Sequence, residues 1–83
     1  MRFYFSRSAR RHKIGKSHAL AALNKGTVPT EEVREHEGET RTYLEWAATD
    51  YRGVELEIAG RIADEDPDLV IIIHVMPAEF RED

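Results

Sequence analysis

The sequence predicts an α+β fold in which a short N-terminal strand precedes two short helices packed on one face of a three- to four-stranded antiparallel β-sheet. Three observations predict it: a β-branched apolar run late in the chain, two alternating segments before that run, and two short helical patterns near the amino terminus. With 83 residues the chain has room for one core. We therefore expect residues 1–83 to form a single domain.

The run Leu69–Pro77 is the strongest strand signal and the expected central strand. Both alternating sets of its side chains are apolar except at His74, so a strand here would be covered on both faces. The proline that closes the run lacks a backbone donor and should end the strand. His74 enters the core if the register places it beside Ile58. It faces the open side with Glu57 and Arg61 if the register slips by one residue. We take the buried register.

The remaining elements are predicted from local patterns. In chain order these are a strand at 2–5, a basic helical turn at 9–13, a second short helix at 17–23, an undecided segment at 31–39, antiparallel strands from 41 and from 54, and an acidic loop at 64–68. Asp50 to Gly53 supplies turn chemistry between the two alternating strands. The helices should cover one face of the sheet, because no sequence remains to cover the other. We expect the functional site on the uncovered face.

Charge divides the chain into two parts. Residues 1–25 carry seven Lys or Arg and no acid, whereas residues 26–83 carry five basic residues against 16 acids. The net charge of −4 is therefore +7 followed by −11. Such asymmetry can steer a polyanion to one surface of an acidic protein. Two oppositely charged solvated faces are the alternative explanation.

Composition excludes several classes of protein. The absence of cysteine excludes a disulfide scaffold and thiolate metal sites, and no apolar signal segment follows the amino terminus. We expect a cytoplasmic protein that does not contact a membrane. His12, His18 and His36 lack the compact spacing of a metal site, so we assign neither metal nor cofactor.

Three segments carry a resemblance to a known family: Phe5–Gly15, followed by a small amphipathic helix, then Asp50–Ile58, and finally Ile73–Pro77. Together they resemble small bacterial toxins of the RelE/ParE superfamily, nearest the BrnT-like branch. The resemblance implies a RelE-like fold and the toxin component of a type II toxin–antitoxin pair. It also implies a metal-independent endoribonuclease, or mRNA interferase, that acts on messenger RNA, free or on the ribosome. A cognate antitoxin would silence it.

The resemblance also implies site residues. It matches His12, Arg11, Arg61 and His74 to the positions that line the family's catalytic site. Metal-free RNA cleavage needs a base for the 2′-hydroxyl, an acid for the leaving oxygen and cations at the phosphate, and histidine and arginine suit these roles. The expected RNA contacts are Arg10, Lys13, Lys16, Tyr43 and Arg81, with Tyr43 as the base-stacking candidate. A solvated basic helix is the alternative explanation for residues 10–13.

A non-catalytic binding module is the alternative function. The span Arg10–Leu23 resembles a helix-turn-helix with Gly15 at its turn, which would read duplex DNA. A toxin homologue whose sheet binds a partner segment and cleaves nothing is a further form of this alternative, and the acidic net charge allows it.

Overall fold

The structure is a computed structural model that describes residues 1–10, 15–25 and 27–80. The strands are β1 (Arg2–Phe5), β2 (Thr30–His36), β3 (Glu39–Thr49), β4 (Glu55–Ala63) and β5 (Asp66–Pro77); helix α1 spans Lys16–Leu23, and short 3-10 helices cover Ser8–Arg10 and Ala78–Phe80. The five strands form one sheet in the order β1-β5-β4-β3-β2. β1 pairs with β5 in parallel, and the other pairs are antiparallel.

The predicted fold class is wrong in its balance and its topology. The described residues contain one short α-helix and a five-stranded mixed sheet, instead of two helices on a three- to four-stranded antiparallel sheet. The undecided segment forms β2 and the first residue of β3, joined by a turn at Glu37 and Gly38 whose φ angles are 51° and 81°. The predicted acidic loop is reduced to a turn at Asp64 and Glu65, because β5 already begins at Asp66.

The run Leu69–Pro77 lies in an interior strand as predicted, but the expected cover on both faces is wrong, since Ile71 and Met76 are only partly buried on the face opposite α1. β5 lies between β1 and β4 and ends at Pro77. Val70, Ile72 and Val75 are its fully or almost fully buried side chains. β-branched side chains suit this pleated position, because they pack against neighbours on both adjacent strands.

One face of the sheet is covered by α1 and holds the core. The helix contributes two alanines, Ala19 and Ala22, which let its backbone lie close to the strands. The other buried apolar side chains are Phe5, Ala9, Leu23, Leu44, Trp46, Ala48, Leu56, Ile58, Val70, Ile72 and Val75. Phe3 packs edge-on against Trp46, with 6.1 Å between ring centroids. These contacts fix which side of each strand faces the helix.

The opposite face of the sheet, the open face, is not covered by α1. The strand registers place residues on it in rows that run across the sheet. One row contains Glu32, Tyr43, Arg61, Ile71 and Tyr4, and the next contains Thr30, Glu45, Ala59 and His74. Charged and aromatic side chains therefore share this surface.

His74 lies on the open face, and the prediction of a buried register is wrong. Gly60 pairs with Ile72, but Ala59 pairs with His74, so Ile73 is an extra residue in β5. This irregularity is a β-bulge, and it moves His74 from the position beside Ile58 to the position beside Ala59. The imidazole is half-buried there.

No described helix is long and apolar enough to cross a membrane.

Candidate functional site

A shallow cavity of about 180 Å³ on the open face is the candidate site. Its lining residues are Thr30, Glu45, Trp46, Ala47, Glu57, Ile58, Ala59 and His74. Ala47 on β3 and Ala59 on β4 present only methyl groups, and these form the floor of the cavity. The carboxylates of Glu45 and Glu57, on the same two strands, border this floor.

Three groups in this cavity suit proton transfer, namely Glu45, Glu57 and His74, and the last two lie on adjacent strands. Glu57 pairs with Met76, and His74 pairs with Ala59 one row away, so the two side chains are diagonal neighbours on one face. Diagonal positions on adjacent strands lie within reach of long side chains. An imidazole and a carboxylate in such an arrangement can supply an acid and a base.

The structure places two of the four predicted catalytic residues on the open face. Arg61 lies opposite Tyr43 on β3 and points to the same side as His74. Its Nη1 atom is 3.7 Å from the Oδ1 atom of Asp64, so part of its charge is already balanced. His12 and Arg11 lie outside the described residues.

Tyr43 and Lys16, the two predicted RNA contacts whose side chains the structure describes, lie on different sides of the sheet. Tyr43 is half-buried, and the guanidinium of Arg34 lies 4.6 Å from its ring centroid, where a base would stack. The Nζ atom of Lys16 lies 5.8 Å from the ring of Phe5, which belongs to the covered side. Arg10 ends the first 3-10 helix. Lys13 and Arg81 lie outside the part of the chain that the structure describes.

Ion pairs neutralise many of the described arginines. The pairs are Arg2 with Asp66, Arg34 with Glu32 at 3.0 Å, Arg41 with Glu39 at 3.2 Å, Arg52 with Asp50 at 2.8 Å and Arg61 with Asp64 at 3.7 Å. The hydrogen bonds from Arg34 lower the pKa of Glu32 and in return raise the pKa of Arg34. A hydrogen bond to Tyr43 and one to Glu39 raise the pKa of Arg41. The guanidinium groups of Arg34 and Arg41 are therefore charged at neutral pH.

A second polar cluster surrounds Asp50, the one fully buried charged residue among those described. We call the set His18, Lys25, Asp50, Tyr51 and Arg52 the Asp50 cluster. The carboxylate accepts hydrogen bonds from the backbone N–H groups of Arg52 at 2.8 Å and Val54 at 3.1 Å. The Arg52 side chain donates two more, from Nε at 3.0 Å and Nη2 at 2.8 Å.

These bonds decide the charge of Asp50. Burial of the carboxyl group favours its neutral form, but the hydrogen bonds from the Arg52 side chain and the two backbone amides outweigh it. The pKa of Asp50 is therefore below its usual value. The buried residue is a carboxylate at neutral pH.

The Asp50 cluster also attaches α1 to the β3–β4 turn. The Nδ1 atom of His18 lies 3.5 Å from the Oδ2 atom of Asp50, and the Nε2 atom lies 3.3 Å from the Tyr51 hydroxyl. Lys25 donates from Nζ to the Asp50 carbonyl oxygen at 3.1 Å. The sequence pattern predicts only a turn role for Asp50. The spacing of an aspartate, an arginine two residues later and a glycine after it is the signal that indicates such a turn.

Comparison of the chain with protein-family models, with curated proteins and with solved structures gives no match. Within residues 1–10, 15–25 and 27–80, no group of three or more His, Cys, Asp or Glu side chains is arranged to hold a metal ion. The span proposed as a helix-turn-helix contains α1, which buries Ala19, Ala22 and Leu23 in the core.

Proposed function

We propose that this chain is a toxin-like, metal-independent endoribonuclease that acts on messenger RNA at the open face of its sheet. The observation that carries the proposal is the position of His74, which the bulge at Ile73 turns out of the core and toward Glu57. A histidine that served packing alone would fit the straight register, beside Ile58. The displaced register instead gives it access to a substrate.

The chemistry assigns a role to each group on this face. Glu57 accepts the proton of the ribose 2′-hydroxyl, whose oxygen attacks the adjacent phosphorus. His74 donates a proton to the departing 5′-oxygen, so that a 2′,3′-cyclic phosphate and a free 5′-hydroxyl form. Arg61, on the same face, balances the negative charge that develops on the phosphate. Arg11 and His12 remain predicted contributors, and a cognate antitoxin remains the expected inhibitor.

Induced expression tests the proposal. We expect the wild-type chain to arrest bacterial growth and fragment messenger RNA, and the His74→Ala variant to do neither, because a positioned proton-transfer group contributes about 10²- to 10⁴-fold in rate. His36→Ala is the matched control, since His36 is an exposed histidine at the end of β2. Full toxicity of His74→Ala, with normal expression, would remove this site.

Purified protein gives an independent readout. An RNA oligonucleotide should be cut in the presence of a chelator, and the same oligonucleotide with 2′-O-methyl groups should stay intact because it lacks the attacking hydroxyl. Cleavage that requires a divalent cation, or cleavage of the 2′-O-methyl RNA, contradicts the mechanism.

The exposed edge of the sheet favours a non-catalytic partner-binding module as the second candidate. All seven residues of β2 are exposed, and β2 is an outer strand whose backbone is paired on one side only. Extended partner segments bind such edges through main-chain hydrogen bonds. In this case the His74→Ala variant would bind the product of a small adjacent gene as tightly as the wild type, and neither would cut RNA.

A further inference from the structure

We infer that Tyr51 is a stacking platform for an unpaired base of the RNA substrate, an inference that rests on the proposed ribonuclease function. Tyr51 lies in the β3–β4 turn and is 65% exposed, so its ring is accessible to a ligand. The sequence instead indicated Tyr43, whose ring is already covered by Arg34. The structure therefore moves the stacking role to the turn.

The ring of Tyr51 is held in one orientation before any ligand binds. It stacks on the imidazole of His18 with 4.7 Å between centroids and 17° between planes. Its hydroxyl lies 3.3 Å from Nε2 of the same histidine. A ring that is already fixed loses little conformational entropy when a base stacks on it.

Buried groups hold this pair of rings from below. Nδ1 of His18 lies 3.5 Å from the carboxylate of Asp50, which is itself completely buried. Hydrogen bonds from Arg52 and from the Val54 amide fix that carboxylate, so the turn cannot rotate freely. The platform is thus connected to the core and to α1 at once.

The two cations of the Asp50 cluster favour a nucleic acid over an apolar partner. Lys25 and Arg52 both bond to Asp50, and an ammonium has three donors and a guanidinium five, so donors remain for phosphate oxygens. A base of any kind can stack on an aromatic side chain, and nearby cations can bind the phosphates of the nucleic-acid backbone. A single strand with unpaired bases satisfies both requirements.

Fluorescence anisotropy with a labelled, single-stranded 2′-O-methyl RNA tests the inference, because this RNA binds without being cut. We expect Tyr51→Ala to weaken binding about 5- to 150-fold, the range for losing one stacked base. Tyr51→Phe should bind almost as well as the wild type, since it keeps the ring. Val28→Ala is the control: Val28 is 86% exposed in the segment before β2 and belongs neither to the open-face rows nor to the Asp50 cluster, so its loss should leave affinity unchanged.

An oligonucleotide of the same length with abasic residues separates stacking from charge. The wild type should bind it more weakly, and Tyr51→Ala should bind both oligonucleotides equally. Equal wild-type affinity for the two, wild-type affinity of Tyr51→Ala, or no wild-type binding of the base-containing strand would overturn the inference. Circular dichroism confirms that each variant is folded.

The two proposals fail in different ways. If Tyr51→Ala binds normally while His74→Ala loses cleavage, the stacking inference is wrong and the ribonuclease proposal stands. If binding depends on bases and on Tyr51 but no cleavage occurs, the ribonuclease proposal is wrong and the platform belongs to an RNA-binding module.

Discussion

The position of His74 depends on one extra residue. A straight antiparallel register through the Gly60–Ile72 pair would place His74 beside Ile58 in the core. Because Ile73 is inserted as a bulge, every following residue of β5 points to the opposite face of the sheet from the one that a straight register would give it. Sequence alternation could predict that β5 is a strand, but it could not reveal this change, because apolar residues occupy both faces of the run.

Ser8 supports the bulge, since its hydroxyl donates to the carbonyl oxygen of Ile73 at 2.9 Å. We expect Ser8→Ala to lower the melting temperature by about 2–8 °C, the effect of losing one hydrogen bond in a domain of this size. The same variant should reduce RNA cleavage, because the bulge sets the direction of His74. Thr27→Ala, at an exposed position, is the control for melting by circular dichroism. A cleavage rate equal to that of the wild type would show that Ser8 does not position His74.

Asp50 links stability to pH. Because the folded protein holds the pKa of Asp50 below its usual value of 3.8, the carboxylate stabilises the fold above that pH. This stabilisation is lost as the pH falls through the lower folded pKa. We expect Asp50→Asn to melt about 10 °C lower at pH 7 and to lose less stability on acidification than the wild type.

Thermal melts of the two proteins between pH 7 and pH 3 measure both effects. Asp68→Asn, at an exposed aspartate, should resemble the wild type throughout. Identical pH profiles of the wild type and Asp50→Asn would mean that the Asp50 bonds do not contribute to folding.

Gly60 is required by close packing at the centre of the sheet. A Cβ atom there would lie 2.9 Å from the Ile71 carbonyl oxygen, 2.9 Å from Val70 Cγ1 and 3.1 Å from Ile72 Cδ1. We expect Gly60→Ala to destabilise the protein by about 1–3 kcal/mol, measured by urea denaturation. Gly38→Ala should cost about 1–2 kcal/mol, because a Cβ there meets no atom within 4 Å and the strain of its φ of 81° is the whole penalty. A Gly60→Ala variant as stable as the wild type would show that the strands separate easily at this point.

At the scale of elements, the sequence predicts those strands that bury apolar residues. β3, β4 and β5 each alternate or bury apolar residues, and their strand character follows from that pattern. β2 has no such pattern, since all seven of its residues are exposed and pairing with β3 alone makes it a strand. The local pattern of residues 31–39 therefore could not decide between a helical turn and a strand, because β2 forms by pairing with β3 and not by burying side chains.

The Glu32–Arg34 pair on β2 is a test of a surface contact. Arg34 donates to Glu32 from Nε at 3.1 Å and from Nη2 at 3.0 Å, and both side chains are exposed. We expect Arg34→Ala to return the pKa of Glu32 to its ordinary value of 4.5, followed by NMR titration of the side-chain carboxyl. The melting temperature should change by no more than about 2 °C, because exposed ion pairs contribute little. A depressed Glu32 pKa in the variant would assign the shift to another cation.

At the scale of the whole molecule, local sequence patterns could not predict the order and direction of the strands in the sheet. The parallel pairing of β1 with β5 joins residues almost seventy positions apart, such as Arg2 and Leu69. The ion pair between Arg2 and Asp66 belongs to the same junction. The separation of basic and acidic segments was visible in the sequence, but which charges would neutralise each other was not, because some partners meet only through the sheet.

The place of β5 between β1 and β4 also bears on how the protein is made. β5 is the last strand of the sheet in chain order, and β1 has no strand neighbour until β5 emerges. An incomplete nascent chain therefore lacks both His74 and the surface that presents it. The open face around His74 therefore forms only after β5 has been synthesised.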